Sequence, residues 1–215
     1  MPETKAAQLR ALFAELEAAV PTLPLGETGE SLVPGDGDPD SPLLFIGEAP
    51  GYYESVQKRP FVGRSGQLLA ATLQEVGYPR EKVYITNIVK LRPPENRDPT
   101  PEEILAYRPY LNREIAIVAP KLIVTLGRFS MAKFLPEVRI SQVHGRLHRV
   151  KWEGQHVYVL PMYHPAAALR GTQMKTSFVN DFQKIPKVLQ WIAERQTEHH
   201  EEEALVQAVT EAMFT

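Results

Sequence analysis

The chain of 215 residues contains no cysteine. This excludes disulfide bridges, zinc sites built on thiolates and iron–sulfur clusters held by thiolates. No apolar run approaches the roughly 20 residues of a membrane-spanning helix, and the N-terminal MPETKAAQLR lacks the apolar segment of a signal peptide. The expectation is a cytoplasmic protein with no membrane association. The phosphate-binding signatures GxxxxGK[ST] and GxGxxG are missing, as is the GxSxG elbow of serine hydrolases.

What is present reads as an ordinary globular domain. Hydrophobic residues make up 43% and charged residues 23%, and the length suffices for one α/β domain with a sizeable core. The net charge of −2 argues against a nucleic-acid binder until its distribution is considered. Five of the 26 acidic residues follow Arg195, and no Lys or Arg does, so the first 195 positions hold 24 basic against 21 acidic residues. Several of these bases flank glycine- and proline-rich turns, among them Lys58, Arg59, Arg64, Arg92, Arg97, Arg128, Arg170 and Lys175. From composition alone a solvated mixed surface accounts for that pattern better than a DNA-facing one.

The chain divides into an N-terminal helix and irregular loop over 1–42, a main domain over 43–195, and an acidic tail over 196–215 that reads as a further helix. Leu9, Leu12, Phe13, Leu16 and Val20 give 5–20 a helical period. From residue 43 strands and helices alternate: strand 43–47, helix 65–77, strand 82–89, helix 100–119, strand 121–127, short helix 128–135, a hairpin leading into strand 156–163, and a long helix over 177–195. Thr100 and Glu103 form a capping-box pair, and Pro109 is placed to kink or split its helix. Continuous apolar strands between helices predict a three-layer α/β/α fold around a parallel sheet, with ligands bound beyond the carboxyl ends of the strands.

Those strand ends carry Gly47-Glu48-Ala49-Pro50-Gly51, Asn87, Gly127-Arg128 and His164-Pro165. A carboxylate in the first turn would repel phosphate. A metal held by Glu48, Glu54 and His164 lacks a second histidine at ligand spacing. Ser65 in GRSG reads as a helix cap. A nucleobase fits better. Phe61, between Pro60 and Val62-Gly63, can stack on a base, and the Asn87 amide can pair with uracil's N3–H and O4 while mismatching cytosine. His164 can donate to an O2 that gains negative charge, and a carboxylate near C1′ can stabilise an oxocarbenium sugar or orient water. Taken singly, each residue also has a purely structural reading: a turn cap for Glu48, a loop bond for Asn87, a core position for Phe61, a strand terminus for His164. His144 and His148 read as surface or packing residues, and His199 and His200 as a solvated helix end.

GEAPGYYE, RPFVGRSG, ITNIVKLRPPENRDPTPEE and HPAAALR, in this order, resemble the family 4 uracil-DNA glycosylases. The resemblance covers about residues 43–190 and implies a central four-stranded parallel sheet and hydrolytic release of flipped uracil. It matches Phe61 to the stacking aromatic, Asn87 to the uracil-reading amide and His164 to the histidine opening the last motif. Glu48 and Glu54 match the two acids, with Glu48 favoured for the chemistry and Glu54 as a water ligand or a wall against thymine's methyl. Ala49 stands where better-known uracil glycosylases have an Asp and would present backbone groups to the base. Arg64, Leu169 and Arg170 are the expected DNA contacts, the last two as a wedge filling the vacated stack. Members of the family usually hold an iron–sulfur cluster. The positions of its four cysteines are occupied here by Glu17, Val20, Leu91 and Tyr107. The expectation is therefore an enzyme without a cofactor or metal, monomeric, acting on uracil-containing DNA, with Leu91, Tyr107 and Val20 packed as an apolar plug. The alternatives are a catalytically weak uracil- or damaged-DNA-binding protein and a glycosylase of shifted base specificity. Covalent capture through a histidine in an inserted loop is disfavoured, because GRSGQLL runs straight into a helix.

Overall fold

The computed structural model describes residues 3–195. The expected acidic helix over 196–215, with His199 and His200, lies outside the described residues. In chain order the elements are α1 (Lys5–Ala19), β1 (Asp36–Gly37), β2 (Leu43–Gly47), α2 (Tyr52–Gln57), α3 (Arg64–Glu75), β3 (Tyr84–Asn87), α4 (Pro101–Val118), β4 (Leu122–Leu126), α5 (Arg128–Ala132), α6 (Ile140–Val143), β5 (His148–Trp152), β6 (Gln155–Met162), α7 (Pro165–Ala168) and α8 (Thr172–Phe182). Residues 185–195 are helical again.

The sheet has the order β1-β3-β2-β4-β6-β5. Its four central strands are parallel, as expected, and a short antiparallel strand closes each edge. The two faces follow the period of two along β2. Leu43 and Phe45 join Leu69, Leu73, Phe178, Phe182, Ile185 and Ile192 on one side. Leu44 and Ile46 join Leu9, Leu16, Leu111, Ile115 and Val118 on the other. Helix α1 thus packs with α4 into the same core as the sheet.

Three expectations need correction. The helix expected over 177–195 starts at Thr172 and is interrupted after Phe182. Pro186 lacks the N–H that would bond back to residue 182, so the chain turns at 183–184 before the helix restarts. Pro109, by contrast, does not split α4, which is continuous from Pro101 to Val118. Its missing N–H frees the carbonyl of Leu105, on the solvent side of the helix where Leu105 is 55% exposed. Ser65 is not a cap, because Gly63 holds the N-cap position of α3 and no side chain bonds there. The capping box at Thr100 and Glu103 is present, and Arg97 adds a two-pronged bond to the Glu103 carboxylate at 2.9 and 2.6 Å.

Leu91 and Tyr107 are wholly buried and share a cluster with Leu16, Leu25 and the partly buried Val20. The Tyr107 hydroxyl donates to the Pro24 carbonyl at 2.8 Å. These residues join the start of the chain to the segment leaving β3. They do not fit an iron–sulfur cluster, for none offers a thiolate and two of the four positions are apolar core. Beside them Lys90 and Glu114, both fully buried, pair at 2.5 Å, and Tyr84 donates to the other Glu114 oxygen at 3.1 Å. Truncating Leu91 should leave a cavity costing about 2–5 kcal/mol. At roughly 2–4 °C per kcal/mol for a chain of this size, Leu91→Ala should melt about 5–20 °C lower by circular dichroism. Tyr107→Phe keeps the ring and loses one hydrogen bond, worth about 1 kcal/mol, so its melting temperature should fall much less. Equal losses would locate the strength of this contact outside its packing.

Candidate active site

Parallel pairing sets Gly47 beside Asn87 at the carboxyl ends of β2 and β3. A Cβ at Gly47 would lie 2.3 Å from Asn87 Oδ1 and 2.4 Å from Phe61 Cζ. Both side chains therefore converge on a strand end that must lack a side chain. Asn87 is 3% exposed, and its Oδ1 is buried with no hydrogen-bond partner among the described residues. An acceptor in that state costs free energy until a donor reaches it.

Phe61 is held in an unusual backbone conformation. Its φ is +53°, in the left-handed region that a bulky residue seldom adopts. Three contacts enforce it. Arg80 Nη1 donates to the Phe61 carbonyl at 2.7 Å, and Nη2 donates to the Pro60 carbonyl. Asp36, on β1, pairs with Arg80 at 3.2 Å and with Arg59 at 2.8 Å. Glu54 Oε1 accepts from the backbone N–H groups of Val62 and Gly63 at 2.9 and 2.8 Å. Finally, Gly66 lets α3 lie on the turn, since a Cβ there would come within 2.0 Å of the Phe61 carbonyl oxygen. Glu54 thus spends one oxygen on scaffolding, while its other oxygen lies towards Gly51.

His164 caps α7, its Nδ1 accepting from the Ala166 N–H at 3.1 Å. In the neutral ring this bond assigns the proton to Nε2. His164 keeps some solvent contact through the cavity, yet the protein around it pushes its pKa down to about 4; the negative charge of Glu54 opposes that shift and Arg170 adds to it. Its ring lies 5.7 Å from that of Phe61. Glu48 moves the other way. Burial, helped by the charge of Asp98 and opposed by Arg128, raises its carboxyl to about 7. Asp98 and Arg128 form an exposed ion pair.

Glu48, Ala49, Glu54, Phe61, Asn87 and His164 line one cavity of about 360 Å³. A groove of about 550 Å³ shares Glu48, Ala49 and His164 with it and leads to Arg128 and Arg170. Leu169 stands 44% exposed at the end of α7. Arg64 is exposed in the first turn of α3 and lies outside both the cavity and the groove. Other contributors escape the sequence reading. Pro93, Asn96 and Arg97 wall the cavity, and Glu95 and Asn96 both have positive φ. Arg80, 19 residues from Phe61, carries no local signal at all. Paired positive-φ residues in PPEN could have been suspected from its turn composition. His144 proves to be neither simple surface nor core, for its Nδ1 lies 2.6 Å from Asp181. Among the described residues no group of three or more His, Cys, Asp or Glu could hold a metal ion.

Residues 34–189 match the profile of the uracil DNA glycosylase superfamily. The chain is 45% identical over 159 residues to a type-4 uracil-DNA glycosylase of Sulfurisphaera tokodaii, spanning 71% of this chain and 72% of that one. It is 44% identical over 167 residues to the type-4 uracil-DNA glycosylase of Archaeoglobus fulgidus, covering 75% and 83% of the two chains. A type-4 uracil-DNA glycosylase of Thermotoga maritima is 39% identical over 163 residues, covering 75% and 84%. The chain belongs to the uracil-DNA glycosylase superfamily, and its type-4 relatives match it across most of its length.

Proposed function

We propose that this protein is a hydrolytic DNA N-glycosylase that releases uracil from DNA and leaves an abasic site, the first step of base-excision repair. The observation that carries the reading is the partnerless Oδ1 of Asn87, buried beside the Phe61 ring. Uracil N3–H supplies the missing donor, and uracil O4 takes a hydrogen from Nδ2. Cytosine offers an acceptor at N3 and a donor at N4, so both bonds fail together. A flipped uracil stacks on Phe61, with Ala49 presenting backbone at its edge.

The C1′–N1 bond then breaks, N1 keeps the bonding pair, and charge collects on O2. Neutral His164 donates from Nε2, which suits an anionic leaving group without first requiring a proton from solvent. Glu48, ionised, faces the cationic sugar and accepts a proton from the water whose oxygen bonds to C1′. Glu54 acts as a positioning residue, holding the turn that carries Phe61. Leu169 and Arg170 fill the gap left in the duplex. The steps above use only side chains of a single cavity and water, and the reading is of a monomer that needs no cofactor. A DNA substrate is consistent with the cytoplasmic location expected from the sequence. Among the described residues no helix is long and apolar enough to cross a membrane.

Oligonucleotides bearing a single uracil, cytosine, mismatched thymine or hypoxanthine, cleaved by alkali after incubation, test the function. Strand breaks should appear at uracil alone. Binding without breaks would make the protein a binder, and breaks chiefly at another base would reassign its specificity. Asn87→Asp should lose uracil release and gain slow cytosine release, whereas Asn87→Ala with unchanged discrimination would remove Asn87 from base reading. His164→Ala should lower the single-turnover rate about 10²–10³-fold, the scale of one oxyanion donor; a near-normal rate would exclude His164 from the chemistry.

The pH dependence follows from Glu48. With its pKa at about 7, kcat/KM should fall roughly tenfold per pH unit below that value and level off above it. His164 should add no limb above pH 5, being neutral there. Arg128→Ala removes the charge that lowers the Glu48 pKa, so its inflection should move to higher pH. Because folding raises this pKa, the ionised carboxylate costs stability as pH climbs from the unfolded value of 4.5 through about 7. Glu48→Gln should therefore melt higher than the wild type at pH 8 and no higher at pH 4, while losing activity. A pH-rate profile flat from 5 to 9 would contradict the role of Glu48.

A further inference from the structure

Between the cavity and the Phe61 turn, α2 exposes Tyr52 (55%), Tyr53 (60%) and Val56 (64%) to solvent. Adjacent exposed aromatics of this size are unusual on a monomer's surface and mark interaction sites. These two are also fixed in place. Their rings meet edge-on at 5.4 Å and 77°. The Arg92 guanidinium lies 5.2 Å over the Tyr52 ring, and it is itself bonded to Asn96 at 2.8 Å and to Glu30 at 3.1 Å. Tyr53 lies against Gly63, its Cδ2 being 3.8 Å from where a Cβ would stand there.

Their position relative to the cavity is informative. Gly51 and Glu54, the sequence neighbours of the tyrosine pair, line the cavity but not the groove that leads to Arg128 and Arg170. The tyrosines adjoin that wall without lining it, Tyr52 through Arg92, whose partner Asn96 lines both cavity and groove, and Tyr53 through Gly63 on the Phe61 turn. Exposed Arg64, next to Gly63 in the chain, joins no ion pair with the described residues, leaving a cation for a phosphate backbone.

We propose that one ring of the edge-on Tyr52–Tyr53 pair stacks, as a platform, on the unpaired base next to the flipped uracil. This rests on the uracil-glycosylase reading. Rigid aromatic rings beside a basic surface are the general means of holding single-stranded nucleic acid without reading its sequence. In a duplex the neighbouring base is already stacked on its own strand and gains little from the platform. The tyrosines thus favour uracil in single strands.

The test uses single-stranded oligonucleotides with one uracil whose 5′ or 3′ neighbour is either thymine or an abasic spacer. Half-saturation and maximal rate are measured in single turnover, and affinity by fluorescence anisotropy. For the wild type, a spacer on one side should weaken half-saturation about tenfold, within the range of one base–aromatic stack, and leave the maximal rate unchanged. The double variant Tyr52→Ala, Tyr53→Ala should bind both oligonucleotides like the wild type with the spacer. Tyr52→Phe, Tyr53→Phe should behave as wild type, because stacking needs only the rings. The proposal is overturned if the alanine variant stays as sensitive to the spacer as the wild type, or if the phenylalanine variant loses as much as the alanine one. A wild type that releases no uracil from any oligonucleotide would defeat the glycosylase reading instead, and the anisotropy comparison would still decide the platform.

Discussion

The close approach of Phe61 and Asn87 over Gly47 is the contact on which the rest of the site depends. Neither side chain could occupy its place if β2 ended in any residue with a Cβ. The turn that delivers Phe61 is strained, so it must be held from several directions. Arg80 grips its carbonyls, Glu54 its amides, and Gly66 admits α3 beneath it. Asp36 on the edge strand β1 anchors Arg80 in turn, which gives the irregular segment before β2 a part in the site. Strain of this kind costs of order 1–3 kcal/mol and persists because its surroundings over-determine it.

Burial acts on the two ionisable partners of the cavity in opposite senses. It keeps the imidazole of His164 neutral and raises the carboxyl of Glu48 to about 7. In the proposed reaction a neutral donor and a carboxylate poised near neutrality divide the labour by environment rather than residue type. The geometry separates the two acids. Glu54 is bound to backbone, whereas Glu48 has its charge tuned by Asp98 and Arg128.

Much of this was legible in the sequence. The alternation of apolar runs and helical periods located the four parallel strands, and Thr100 with Glu103 gave a helix start that local chemistry alone determines. Phe61, Asn87 and His164 stood out because each follows or interrupts a strand–turn signal. Leu91 and Tyr107 could be expected to pack because they are apolar where ligands would be charged. The Arg80 clamp was hidden, since it joins residues distant in sequence through a backbone geometry no pattern announces. The scaffolding role of Glu54 was hidden for the same reason. Helix α2 was missed because six residues are too few to show a period, and the break after Phe182 because the apolar spacing continues across Pro186.

The most direct test follows the side-chain amide of Asn87 in ¹⁵N-labelled protein while free uracil or cytosine is added. Both amide resonances should move and saturate with uracil and stay in place with cytosine, because only uracil completes the bonds to Oδ1 and Nδ2. Resonances unmoved by uracil, or moved alike by both bases, would contradict the account of how this cavity recognises its ligand.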